Sequence, residues 1–547
     1  MVEVTRHNFL SLFPQIEYAI NAADFISIDT EFTGLCYDDS CKPSLFDNSK
    51  QRYTKLKRSV QNFTLCQIGI TTFKGNVSEN RYFAETYNFQ LCPLPLTYNF
   101  QLCPLPLGTC DPRFSLQASS ICFMTKHNFD FNKWLYEGIP FLNQVQEQQV
   151  RVDLESGLPY SGIDGDVNEN KMQELCSFVA SWLPSAGAGD STMIPLEQDE
   201  PVTAKCIYQA DLRKRFSQIW TSLDPFGQVV VKRLEPDERE SLELRFKGSD
   251  KLHQEQYILE LLGFTRIFRL LTKVTAPIVG HNLLMDLIFM YEKFHKPLPE
   301  CYFQFKKDIH KLFPNIFDTK HIGHCLRNRL EHLNLQPARD LQDLYNILHS
   351  KSVMNMTLLQ PSVVRACSDE MKEQVHQAGY DAFLCGCSFL RICHLLHFRN
   401  VNSMDVKACP FQAYLTTVTS FCNCVNVIRA MVNYVKLDGD EPPCQRPPLI
   451  HVEVVRPGDR LLAQQLAGWF SMYGTVDIQM INQKQAVVAT GNFMTARDII
   501  YQFRGHTFIK VSKYKFWEHS PLGQKVVIGS LVLATGSCIL LLVNALK

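Results

Sequence analysis

Residues 25–35 read Phe-Ile-Ser-Ile-Asp-Thr-Glu-Phe-Thr-Gly-Leu, a run of strand-forming residues that ends in two carboxylates spaced by two. Side chains alternate along a strand, so Asp29 and Glu31 project to the same side. Two anions held that close repel, and a fold that keeps them together must supply a shared proton or a cation. Divalent metal is the simpler supply where phosphate chemistry is done. A D-x-E pair on a strand is by itself an ordinary strand end, so the remaining residues decide its meaning.

The chain has 547 residues, more than one ordinary core accommodates, so two to four domains are expected. An apolar content of 46% with 20% charged residues describes a folded protein. Lys+Arg and Asp+Glu both number 55, which excludes a global basic field and leaves nucleic-acid contact to local patches. The N-terminal residues carry Glu3, Arg6 and His7 and no apolar signal core, so the 20 cysteines are expected reduced in the cytosol. Cys385-x-Cys387 with Cys393-His394, and Cys422-x-Cys424, are the nearest approaches to metal-binding spacing, and apolar flanks make core cysteines of them.

A short helix over 8–23 leads into the strand. A loop over 38–58 carries Lys50, Arg52, Lys55, Lys57 and Arg58 around Tyr53, either a solvated face or a rim that grips phosphates. Phe63 to Thr72 alternates as a second strand. Residues 86–96 and 97–107 repeat the same eleven letters; one tandem copy makes no solenoid, and a surface loop is the expected place for it. The composition shifts over 151–250, where a helix bearing Met172, Leu175, Phe178, Val179 and Trp182 precedes a loose stretch and the triplet Arg213-Lys214-Arg215. This reads as an inserted small domain.

Two further constellations follow. Ala276 to Gly280 is a short buried strand, then Leu284, Leu287, Ile288 and Tyr291 recur with helical period. Asn282 and Asp286, four apart, would share another face of that helix, placing a third carboxylate at the mouth of the sheet. His376-Gln377-Ala378-Gly379-Tyr380-Asp381 precedes an apolar helix over 382–397. Five helical residues subtend about 140°, so His376 and Asp381 share a site only if the backbone breaks between them, a freedom that Gly379 supplies.

D-x-E on a strand, N-x3-D opening a helix and H-x4-D before a helix, in this order, resemble the exonucleases with four acidic ligands and a histidine, the DEDDh group. Gln377 stands where the tyrosine subgroup would place Tyr. Glu31-Phe32-Thr33-Gly34, Arg52-Tyr53-x-Lys55-Leu56-Lys57, Gly280-His281-Asn282, Phe317-Asp318-Thr319-Lys320 and His376 to Ala382 further resemble the poly(A)-specific ribonuclease (PARN) family, over about residues 1–515. The likeness is greatest to its membrane-bound branch, whose members trim precursor PIWI-interacting RNAs. The resemblance implies an α/β fold, an RNase H-like mixed sheet flanked by helices, divided into a nuclease domain at 1–150 and 251–400, the insert at 151–250 and a helical connector at 401–445. It implies catalysis by Asp29, Glu31, Asp286, His376 and Asp381, the four carboxylates holding two Mg²⁺ ions (or Mn²⁺) roughly 4 Å apart. His376 would accept the proton of the attacking water. Phe32, Leu35, Asn282 and Lys320 would contact the 3′ end of single-stranded RNA. Core packing is the competing reading of Phe32. The implied partners are a PIWI- or Tudor-type protein presenting the RNA and a second copy in a homodimer.

The insert lacks the family's arginine and histidine with three residues between them, which puts RNA binding there in doubt. Residues 446–515 have the β-α-β-β-α-β order of an RRM-like α+β domain. Its first strand offers His451 and Glu453, and its third reads Ala486-Val487-Val488-Ala489, with no aromatic platform, so a protein contact or a lid is expected instead of base stacking. After a linker at 516–525, Val526 to Val543 contains no charge over eighteen residues, with Lys525 before it and Lys547 after. That reads as a C-terminal transmembrane anchor holding a cytosolic enzyme on the endoplasmic reticulum or outer mitochondrial membrane. The expected function is a membrane-tethered Mg²⁺-dependent 3′→5′ exoribonuclease. A catalytically silent nuclease-fold adaptor and a DNA-proofreading nuclease are the alternatives.

Overall fold

The computed structural model describes residues 1–93, 113–156, 169–196, 202–223, 228–235, 258–331, 338–355, 357–366, 376–400, 408–444 and 446–520, with isolated residues between them. The centre is a seven-stranded mixed sheet. Four strands come early: β1 (Val2–Val4), β2 (Phe25–Phe32), β3 (Leu65–Asn76) and β4 (Arg81–Gln90). β2 pairs antiparallel with β3, and β3 with β4, whose outer edge carries β1 and Ser362–Arg365 in parallel. On the other side of β2 lie Ile278–Gly280 and then Ile316–Asp318, both parallel.

Alternation along β2 sorts its side chains between two layers. Ile26 and Ile28 enter one core with the helices Arg6–Ala22, Phe264–Leu271 and Leu284–Met290. Phe25 enters the other core, beneath the long helix Ala378–Asn400, whose Leu384, Phe389, Leu390 and Cys393 are buried. That helix is also the one described helix long and apolar enough to cross a membrane, yet it packs over β2, β3 and β4. Its cysteines are core residues, and His394 is spoken for by the Tyr414 hydroxyl and the Leu358 carbonyl. Val526 to Val543 lies outside the described residues, apart from Val526 itself.

Two smaller sheets stand apart from the first. Ser191–Met193, Val229–Arg233 and Ile219–Leu223 form an antiparallel sheet backed by Glu169–Trp182 and Val202–Arg215, around a core of Met172, Leu175, Val179 and Leu212. Residues 450–513 run strand, helix, strand, strand, helix, strand, in an antiparallel sheet ordered 476–482, 485–490, 450–454, 509–513. Part of the open face of that sheet is covered by the segment that follows it. His519, on the short helix Phe516–His519, stacks on buried His451 with ring centroids 4.0 Å apart.

Two expectations are corrected here. The basic run is no loop: Ser49–Asn62 is a helix, opened by Asn48, whose side chain accepts the Gln51 N–H. Nor do its cations all stand free at the surface. Arg52 is buried, paired with Asp47 at 2.9 Å and donating to the carbonyls of Ile428 and Arg429. Lys55 joins Asp47, Lys57 reaches Glu300, Arg58 reaches Asp38, and Lys50 lies over Phe303. The tandem repeat does not begin in a surface loop either. Thr86 to Gln90 complete β4, with Tyr87 and Phe89 buried, because their alternation suits an interior strand; the second copy lies outside the described residues.

Arg52→Ala is therefore expected to act on stability. Leaving Asp47 with Lys55 as its one cationic partner should cost roughly 3 kcal/mol, seen as a lower denaturation midpoint, while the salt dependence of RNA binding stays unchanged. A reduced salt slope with normal stability would return Arg52 to the substrate path.

Candidate metal and catalytic site

The carboxylates meet at the C-terminal end of β2. Asp29, Glu31 and Asp381 bring one oxygen each within 4.8 Å of the others, and they are the only such group of three or more metal-ligating side chains among the described residues. Strand alternation explains the first two, which continue the face that Phe25 and Ser27 turn toward the long helix. The third arrives because that helix is pressed onto β2 and β3. The Ser27 hydroxyl donates to the Ala382 carbonyl at 2.6 Å, and Gly69, directly across from Asp29, has no side chain to hold the helix off. A Cβ on Gly69 would fall inside the Ala378 carbonyl.

Asp286 comes from the opposite layer. The helix Leu284–Met290 belongs to the Ile26 side of the sheet, and Asp286 accepts from the Thr30 hydroxyl and main-chain N–H. β2 offers that N–H because its parallel neighbour has already ended at Gly280. Asp286 thus stands at the edge of the trio, tied to the residue between Asp29 and Glu31, and its charge acts on both.

Burial holds all four carboxyls above their usual range, and repulsion from neighbouring carboxylates adds to it, from within the cluster for Asp29 and Glu31, from Asp318 for Asp286 and from Asp340 for Asp381. For Glu31, burial followed by Asp381 and Asp286 raises the pKa to about 8. Burial takes Asp286 to about 7 against the Thr30 hydroxyl, and Asp381 to about 7 against the His376 N–H. Asp29 is raised well above the carboxylate range by burial and its three neighbours. Only oxygen donors converge, and they carry four negative charges when ionised, which fits a hard divalent cation and no thiolate-seeking metal.

The loop after Gly280 departs from the sequence reading. Asn282 is not on the helix. It has a left-handed backbone, φ 63°, its N–H is held by Asp318, and its side-chain oxygen accepts from Asn426 at 2.8 Å. Asp318 is the organiser: fully buried, it accepts the N–H groups of Asn282, Leu283, Lys320, His321 and Asn426. The break before the long helix is likewise displaced. His376 takes the left-handed conformation, φ 69°, while Gly379 is helical and matters for space, close to Asn88 and Met1.

His376 reaches the trio through its main-chain N–H, which donates to Asp381. Its ring faces solvent at the mouth, edge-on to Phe123 and His127, with centroids at 4.8 and 4.2 Å. Partial burial, then His127, lowers its pKa, so the ring is neutral and able to accept a proton at neutral pH. Of the other residues singled out, Leu35 is exposed just beyond Glu31, and Phe32 stacks on Phe289 at 4.4 Å, half in the core. Lys320 donates to the Arg339 carbonyl. Sequence reasoning missed Gly69, Thr30, Phe123 and His127; only strand register and helix packing bring them here.

Two outcomes follow. Gly69→Ala must displace the start of the long helix, so kcat should fall about 100-fold with KM little changed, and stability by about 1–3 kcal/mol; steady-state kinetics and denaturation check both. Raised carboxyl pKa values mean the folded, metal-free protein binds more protons than the unfolded chain, so the cluster's contribution to stability falls as pH rises between about 4 and 8. Melting in EDTA should show that decline, Glu31→Gln should flatten it, and the Mg²⁺-induced rise in Tm should be larger at the alkaline end.

Comparison with known proteins agrees with this geometry. Residues 4–389 match the CAF1 family ribonuclease profile. The chain is 33% identical to the mouse "Poly(A)-specific ribonuclease PNLDC1" over 95% of each protein, and 31% identical to the "Pre-piRNA 3′-exonuclease trimmer" of Bombyx mori over 99% of this chain and 98% of that one. Identity to human "Poly(A)-specific ribonuclease PARN" is 26%, over 89% of this chain and 76% of that protein. With matches of this length and three carboxylates gathered at the end of β2, the chain belongs to the CAF1 family of ribonucleases and is by class a 3′→5′ exoribonuclease.

Proposed function

We propose that this exoribonuclease trims the 3′ ends of single-stranded RNA, precursor PIWI-interacting RNA foremost, by metal-dependent hydrolysis, and is held on a membrane by residues 526–543. The observation that carries the chemistry is the buried Asp29, Glu31 and Asp381 trio with Asp286 at its edge. Those four side chains would hold two Mg²⁺ ions, or Mn²⁺. Bound there, the ions would supply a water of lowered pKa and charge neutralisation at the leaving 3′ oxygen. The neutral ring of His376 takes a proton from the attacking water as its oxygen joins phosphorus and the bond to the penultimate 3′ oxygen breaks, releasing a nucleoside 5′-monophosphate. Leu35 and Phe32 line the approach to the terminal base, and Lys320 stands two residues beyond Asp318.

The trimming assignment is supported by the alignment with the silkworm trimmer, which at 99% of this chain extends over the uncharged segment at 526–543. Shortening of poly(A) is the second reading, favoured by the mammalian relatives, which are named poly(A)-specific ribonucleases. A balance of 55 cationic and 55 anionic residues gives the chain little general attraction for RNA, which supports delivery by a protein partner of the PIWI or Tudor kind. The catalytic part would face the cytosol, at the endoplasmic reticulum or outer mitochondrial membrane, and a homodimer is the assembly proposed.

The test uses full-length protein and 5′-labelled oligonucleotides: RNA with adenosine or mixed 3′ tails, free or 2′-O-methylated, and matched DNA. Stepwise shortening of free-ended RNA in Mg²⁺, absent in EDTA and in Asp29→Asn, is expected. Asp29→Asn activity equal to the parent would sink the metal mechanism, and an inactive parent would favour the adaptor. Loss of residues 522–547 should free the enzyme from membranes and spare hydrolysis.

A further inference from the structure

The register of the C-terminal sheet collects several chain segments at one end. Ile450 is opposite Val488 and Lys513, and Val476 is opposite Thr490. Residues just before Val476, just after Thr490 and just after Lys513 therefore share that end of the domain. They are unusually apolar for a surface: Met472 is 76% exposed, Phe493 61%, Met494 64%, Phe516 45% and Trp517 58%. The nuclease domain docks beside them, through Asp477, which accepts from the Leu45 N–H at 2.6 Å and pairs with Arg429, but leaves those five uncovered.

The chain leaves the domain from this same end. His519 is pinned on His451, Ser520 is buried, and only Pro-Leu-Gly-Gln-Lys separates Ser520 from the uncharged run that begins at Val526. Six extended Cα steps span about 20 Å at most. The headgroup layer on each side of the hydrocarbon is itself roughly 5–8 Å deep. If 526–543 spans the bilayer, the end of the domain from which it departs lies at the headgroups or within about 12–15 Å of them.

We propose that this end of the C-terminal domain, presenting Met472, Phe493, Met494, Phe516 and Trp517, is a membrane-interfacial surface seated among the headgroups of the bilayer that residues 526–543 enter. The proposal rests on the anchor reading of that segment. Tryptophan and phenylalanine with neighbouring lysines are the composition that partitions to that layer, and Lys513 and Lys515 are exposed in the same segment, Lys515 also paired with Glu518. Lysine is depleted at protein–protein interfaces, which argues for lipid over a second copy. Seated in this way, the enzyme would stand in a set orientation on the membrane, since Asp477 and Arg429 tie the same end of the domain to the nuclease.

The test places the full chain in vesicles of phosphatidylcholine and phosphatidylserine containing lipid brominated near the carbonyl end of its acyl chains, with Trp517→Phe as reference for the other four tryptophans. Quenching that is lost in Trp517→Phe is expected. The same loss is expected when Met472, Phe493, Met494 and Phe516 are all changed to serine, while that variant still floats with vesicles and hydrolyses RNA. A protein that floats but whose Trp517 is unquenched by lipid and open to acrylamide overturns the interfacial surface alone. Shielding of Trp517 that grows with the protein-to-lipid ratio and ignores brominated lipid assigns the surface to a second copy and overturns it too. A full chain that does not float removes the anchor and this proposal with it.

Discussion

Repulsion among Asp29, Glu31, Asp286 and Asp381 is the constraint that the nuclease fold is arranged to withstand. The first two are presented by one strand, Asp381 by the helix above the sheet and Asp286 by the helix below it, so neither layer can move away without unpacking a core. Nothing cationic among the described residues enters the trio, and the carboxyls answer by retaining protons. A site whose charges cannot relax apart gains most when a cation replaces those protons, which is how a rigid scaffold becomes a metal site.

Buried polar residues maintain that rigidity at a distance. Asp318 gathers five main-chain N–H groups and fixes the turn from which Asp286 is launched. Arg52 and Asp47 tie the helix Ser49–Asn62 to the carbonyls of Ile428 and Arg429, and Arg429 in turn reaches Asp477 in the C-terminal domain. Asp318, Arg52 and Asp47 are charges taken out of water and hydrogen-bonded there, so each specifies one arrangement of its partners.

Much of the site was legible in the letters because period and chemistry coincide there. Alternation put Asp29 and Glu31 on one side of a strand, and the apolar helix after Asp381 was visible from its composition. The readings that failed were those in which a local pattern stood in for a contact. Lys50 to Arg58 looked like a loop, solvated or gripping phosphates, yet they lie on a helix whose partners include Glu300 and the carbonyls of residues 428 and 429, invisible to any local window. Asn282 and Asp286 were four apart, but Asp318 holds Asn282 in a left-handed turn outside the helix. The repeated eleven residues suggested an insertion in a loop, although the first copy supplies an interior strand.

What the sequence determined by itself is the inventory: which residues can bear metal chemistry, their order along the chain, the strand and helices that carry them, and an uncharged stretch long enough to cross a bilayer. Where those groups point was decided by tertiary structure. Gly69 shows why: nothing in its neighbourhood of the chain marks it, and it matters because the antiparallel register sets it across from Asp29 and the start of a helix some 310 residues later needs the volume its side chain would fill. Distances between carboxylates, the tying of Asp286 to Thr30 and the resting of His376 against Phe123 and His127 all arise from such long-range packing. Local propensity has no term for any of them.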